Sequence, residues 1–247
     1  MHSFNSIAEI SSMRWLTSLR RTRLARRLDS YPPYRAPFPG DSFKLSVEQA
    51  QANLDYLLAH RAERLAVLDE LLAEENIDLR AGLAADDYTP LLDALHGWAK
   101  TAWPGIHDRK IASSKTWRSS TREGPEIAYS LIMDVAILLG ELIVTRRPLF
   151  VWSLDLDPEN GPAGSDPVSF DDAMDSYKRP VVQIPKGGPF PTIILDVEDI
   201  VAHKYMTARE SMTWALNDFH YVVDQAVSGA HEAYWVAEAQ RAAESRS

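Results

Sequence analysis

Apolar residues return every three or four positions along the first third of the chain: Val47, Ala50, Leu54, Leu57, Leu65, Leu68 and Leu72. That is the helical period, and it predicts a long amphipathic helix reaching about residue 75. Ser46 stands just before it with Gln49 three residues on, a capping-box pair. A second helix is predicted from Thr89-Pro90, with threonine as cap and proline in the first turn. It carries Leu91, Leu92, Leu95 and Trp98 before Trp103-Pro104-Gly105 stops it. Residues 105–123 are polar and irregular, with Trp117 as their anchor. Pro125 then opens the most apolar segment, "PEIAYSLIMDVAILLGELIVTRRP". Turned at 100° per residue, its aliphatic side chains cover about half the circumference, and Met133, Ile137 and Val144 spread onto the rest. A helix apolar nearly all round is expected at the centre of a core.

After Arg146-Arg147-Pro148 the period shortens to two. "LFVWSLDLD" sets Val151, Ser153 and Asp155 on one side and Phe150, Trp152, Leu154 and Leu156 on the other, which predicts a strand. The polar stretch 157–179 reads as a long loop. Two further strand-like runs, 180–184 and 192–197, flank Lys186-Gly187-Gly188. A phosphate-binding P-loop needs its glycines before the lysine and a helix directly after it; here the order is reversed and Pro189 and Pro191 remove donors. The segment therefore reads as a turn. Helices are predicted over 197–208 and 208–244, the second with a core stripe of Met212, Ala215, Leu216, Phe219, Val222, Val223 and Ala226. These elements predict an α+β fold, mostly helical: a small antiparallel sheet of two to four strands packed on a buried central helix, with long N- and C-terminal helices.

Charge divides the chain. Residues 1–30 carry six arginines against Glu9 and Asp29, or +4, so a net charge of -9 leaves -13 on the remainder. An acidic body repels nucleic acid and favours a basic partner or simply keeps the chain in solution. The arginine-rich opening and the proline-rich stretch "YPPYRAPFPGDSF" predict an arm and extended linker over 1–43, followed by one α+β domain over 44–247. The arm lacks the unbroken apolar core of a secretory signal. Its mixture of leucines and arginines also suits an organellar transit peptide or membrane-surface contact through 13–28. No uninterrupted apolar run reaches the roughly 20 residues of a bilayer span. Without cysteine there are neither disulfides nor thiolate sites, which fits a reducing, cytoplasmic setting.

Three groups of residues are candidates for chemistry. Ser130, Asp134 and Glu141 share one line on the apolar helix; with Trp152 and Lys186 they outline a pocket for a small ligand, or carboxylates needing a cationic partner such as Arg146, Arg147 or Lys186. "DLDPENGPAGSD" resembles a calcium loop in its alternating acids but has Asn160 where an EF-hand has glycine, and a strand before it. Trp214, Tyr221 and Trp235 form a second aromatic face on the last helix, suited to internal packing or a partner. His220 and His231 share a helical face but lie about 16 Å apart along a continuous axis, too far for one metal. No motif implies a metal or a cofactor.

The apolar helix with Gly140-Glu141-Leu142-Ile143, the strand with Trp152, the strand opening Pro180-Val181-Val182 and the loop with Pro189-Phe190 resemble uncharacterised bacterial families. Among these are domains of unknown function and toxin-immunity proteins; the resemblance spans about 125–206. It implies an α+β fold and, for the immunity subset, stoichiometric inhibition of a toxin; it implies no catalytic residues. The expectation is a non-enzymatic protein that binds another protein, with a ligand-binding protein or enzyme built on Asp134, Glu141, Trp152 and Lys186 as the alternative.

Overall fold

The computed structural model describes residues 21–162, 173–185 and 192–244. Its elements are α1 (Arg23–Leu28), α2 (Val47–Ala73), α3 (Leu79–Ala84), α4 (Thr89–Ala102), α5 (Ser114–Ser119), α6 (Ala128–Arg146), β1 (Val151–Leu154), β2 (Pro180–Ile184), β3 (Ile193–Leu195), α7 (Val197–Met206), α8 (Asp218–Val227) and α9 (Ala230–Glu244). The fold is α+β and mostly helical. Its sheet is three-stranded and antiparallel in the order β1-β2-β3, with Trp152 opposite Val182 and Val182 opposite Leu195.

The centre is α6. Every residue from Ala128 to Gly140 is buried, as are Leu142 and Ile143. It packs against α2, α7, α8, β1 and β2. By length and composition the helical span Gly124–Arg146 is apolar enough to cross a membrane, although Glu126, Asp134 and Glu141 interrupt it; 83% of its most apolar 18-residue window is buried within the fold. Both capping-box bonds of α2 are present: Gln49 N donates to Ser46 Oγ at 3.2 Å and Ser46 N to Gln49 Oε1 at 3.0 Å.

Three local expectations differ, and one short helix is additional to those the periodicity predicts. Thr89 is the first residue of α4, not its cap; Asp87 Oδ1 accepts its N–H instead. The short helix α3 has no separate apolar period, and Asp78 starts it by accepting from Ala81 N at 2.9 Å. Residues 31–41 carry no regular secondary structure, as their prolines require, and Ser42–Lys44 close the stretch with a 3₁₀ turn; yet Tyr31 and Tyr34 are buried together with Leu24 and Leu28, so residues 24–34 belong to the body of the fold. The predicted helix 208–244 is broken into a 3₁₀ turn (Ser211–Trp214), α8 and α9. Asn217 caps α8, and Gly229 separates α8 from α9 with φ of 77°, a left-handed conformation that glycine adopts without steric cost.

Candidate functional site

The polar line on α6 is turned towards the N-terminal segment. Arg64 of α2 donates from Nε and Nη2 to the two Asp134 oxygens at 2.7 and 2.6 Å, and the Tyr31 hydroxyl donates to Oδ2 at 2.5 Å. Arg64 also reaches Pro32 O at 2.9 Å, and Ser130 Oγ accepts from Tyr34 N at 2.8 Å while donating to Arg122 O. Asp134 has no exposed surface. Burial pushes its carboxyl up to about 6 against the pull of Arg64 and Tyr31, so at neutral pH it is the anion that the guanidinium requires. Arg64 is shifted further towards its charged form by the same carboxylate, although burial opposes this. The group fastens the arm to the core.

Glu141 is separate from that cluster. Its Oε1 accepts from Trp152 Nε1 at 2.8 Å and lies 3.4 Å from Arg61 Nε. Arg146, considered above as a counter-ion, instead donates to the carbonyls of Leu83 and Ala85, closing the end of α3. Lys186 lies outside the described residues. Asp134 and Glu141 thus contact different neighbours, and their nearest partners are other side chains. Asp155 of the acidic loop is likewise engaged: it is fully buried and accepts from Asp157 N, Asn160 Nδ2 and Ser176 Oγ, organising the turn after β1.

The second aromatic group divides too. Trp214 is buried; its Nε1 donates to Ala208 O at 2.9 Å, and its ring lies over the Lys204 ammonium at 5.1 Å. The side chain of Trp235 lies outside the described set. Tyr221 is 65% exposed. Among the expected stripe, Phe219, Val222, Val223 and Ala226 are buried, whereas Met212 (79%) and Leu216 (71%) face solvent because the 3₁₀ turn ends the helical register there.

Tyr221 borders a cleft of about 420 Å³ between the end of β3, α7, α8 and the start of α9. Leu195, Ile200 and Val222 supply its apolar wall, and Asp199, Asp218, His203 and His231 supply polar groups. Lys204 positions one rim. It is 1% exposed and donates to Thr213 O, Leu216 O and Asp218 Oδ2 at 2.7, 2.9 and 2.6 Å, which ties the 3₁₀ turn and the start of α8 to α7. The bend at Gly229 carries His231 to this cleft, where its Nε2 is buried without a hydrogen-bond partner. Periodicity could not reveal the cleft, since it arises from a break that only the Ser228-Gly229 pair signals. No protein-family model, no curated protein and no solved structure matches this chain.

Proposed function

We propose that the protein acts by binding another protein at the α7–α8 cleft, and that the segment it accepts is basic and carries an apolar anchor. The observation that carries this reading is an apolar cleft edged by the exposed Tyr221 and holding the unpartnered His231 nitrogen. Large exposed apolar side chains beside charged rims are characteristic of interaction surfaces. The charge of the partner follows from the surroundings: over 196–244, nine carboxylates against Lys204, Arg209 and Arg241 leave -6. Complementary charge would speed encounter and set orientation, and the apolar pocket would supply the central contact. Neutralisation of a basic bacterial toxin is the specific form of this activity that the resemblance over 125–206 favours.

The test is co-purification from native cells at low salt, comparing the unaltered chain with Tyr221→Arg and with Leu149→Arg, a change at an exposed apolar residue outside the cleft. One partner should be retained by Leu149→Arg, lost by Tyr221→Arg and weakened as salt is raised. Recovery of the protein alone, or equal capture by Tyr221→Arg, would overturn the reading.

A further inference from the structure

A second cavity lies where the N-terminal segment, α5, α7 and the start of β2 meet, and its lining has the opposite character. Arg118, Arg122, Lys178 and Arg179 line it against a single carboxylate, Glu198, leaving a surplus of three positive charges. Asp175 and Asp196 also pair with Arg118 and Arg179; counting them still leaves one positive charge in a chain of net -9. The guanidiniums are held in place. Arg179 lies 4.0 Å over the Trp117 ring and donates to Glu198 Oε2 at 2.7 Å; Arg122 lies 5.3 Å over the Tyr34 ring and 2.7 Å from Glu198 Oε1.

Two further features single this cavity out. Ser42, which lines it, is 4% exposed, and its Oγ is buried without a hydrogen-bond partner. A buried hydroxyl left unpaired is costly and calls for a ligand to meet it. Furthermore, three described non-glycine residues have a left-handed backbone: Asn76, Arg122 and Lys178, and the last two both line this cavity. Asparagine tolerates that conformation, whereas a long side chain there costs on the order of 1 kcal/mol or more. Two cations held at that cost beside one cavity indicate that their side chains are needed there. Lys178 Nζ donates to Leu45 O at 2.7 Å, leaving donors on the ammonium for a second acceptor.

We propose that this cavity binds a phosphate group, either free or at the end of a small ester. Guanidinium forks and a lysine point charge are the residue types that recognise such an oxyanion. The cavity has a volume of about 60 Å³. A single water needs roughly 10–15 Å³ by that measure, so a phosphate-sized anion is accommodated. The site is independent of the α7–α8 cleft and stands whether or not a protein binds there.

The experiment titrates the full chain with inorganic phosphate at constant ionic strength, following the thermal midpoint and the ³¹P linewidth, with glycerol phosphate and malonate in parallel. Phosphate should raise the midpoint saturably and broaden the phosphorus line; a response to both phosphates identifies an ester-accepting site, and a response to inorganic phosphate alone a closed one. Lys178→Asn keeps a residue suited to the left-handed backbone, so it should still fold with a cooperative transition, at a midpoint shifted only by loss of the bond to Leu45 O, while weakening phosphate binding about ten- to hundredfold, the worth of one charge-assisted hydrogen bond. Arg118→Gln, at a partly exposed position, should weaken it similarly. The absence of a saturable response, a response to malonate alone, or undiminished binding by both variants would each overturn the assignment.

Discussion

Gly140 and Trp152 show how a single absent methyl group shapes the core. A Cβ built on Gly140 would stand 2.0 Å from Trp152 Cζ2, so the indole occupies the space that glycine leaves on α6. The same indole then donates to Glu141, the next residue along the helix. Alanine is the better helix former by about 1 kcal/mol, yet here it would displace a buried ring joined to the sheet. Overpacking typically costs 1–3 kcal/mol, so Gly140→Ala should destabilise the protein by about that amount despite its higher propensity. Urea unfolding monitored by tryptophan fluorescence measures it; a neutral or stabilising outcome would show that the ring moves aside freely. Asp134 makes the complementary point. Its fully buried carboxylate resembles a functional group when only its own helix is considered, yet its cation stands 70 residues earlier, on α2.

At the scale of elements, what could be read from the chain was whatever a local period or cap encodes. α2, α4, α6, the strand Pro180–Ile184 and the α+β class all rest on such signals. What escaped depended on contacts distant in sequence. Prolines mark 31–41 as free of helix and strand, but nothing local tells that Tyr31 would meet Asp134 or that Tyr34 N would meet Ser130. Likewise the stripe from Met212 to Ala226 keeps a helical period through a segment that the Lys204 clamp folds into a 3₁₀ turn. The cationic cavity was invisible for the same reason: its cations come from 118–122 and 178–179, segments read as irregular. The N-terminal segment offers a direct test of this long-range dependence. Deleting 1–43 removes four buried apolar side chains, Leu24, Leu28, Tyr31 and Tyr34, each worth about 1.5–3 kcal/mol, and leaves Asp134 without one of its donors. Such losses rival the total stability of an ordinary domain. The truncated chain should therefore lose its cooperative thermal transition, measured by circular dichroism; an unchanged midpoint would mean that the segment is only an attached arm.

Over the whole molecule, four buried or half-buried carboxyls give opposing contributions to stability as pH changes. Burial pushes Asp134 and Asp196 up from an ordinary 3.8 to about 6 each, and it raises Asp199 in the same direction. The folded chain therefore binds these protons more tightly than the unfolded chain does between about pH 4 and 6. Stability from this source falls as pH rises through that window, with the full cost present above about 6. Glu198 acts in the opposite direction: burial would raise it, but Arg122 and Arg179 outweigh burial and hold it below its ordinary 4.5. Its contribution is present above that value and is lost as pH falls through the lowered one. Stability should accordingly increase from pH 7.5 through pH 5 to a maximum near pH 4 and then decline, a shift such as that of Asp134 or Asp196 corresponding to about 3 kcal/mol across its whole window. Asp196 provides the control, because its side chain caps α7 by accepting from Asp199 N at 3.0 Å while its Oδ2 has no hydrogen-bond partner. Arg179 Nη1 lies 3.5 Å from that oxygen, within ion-pair reach but outside hydrogen-bond geometry. Asparagine is an equally good cap, so Asp196→Asn should keep α7 while removing one of the two large titrations. Its gain between pH 7.5 and 5, read from urea unfolding at each pH, should be about half that of the unaltered chain. If the unaltered chain were equally stable at both values, the buried carboxyls would have to be held ionised by Arg64 and Arg179 more strongly than burial opposes them.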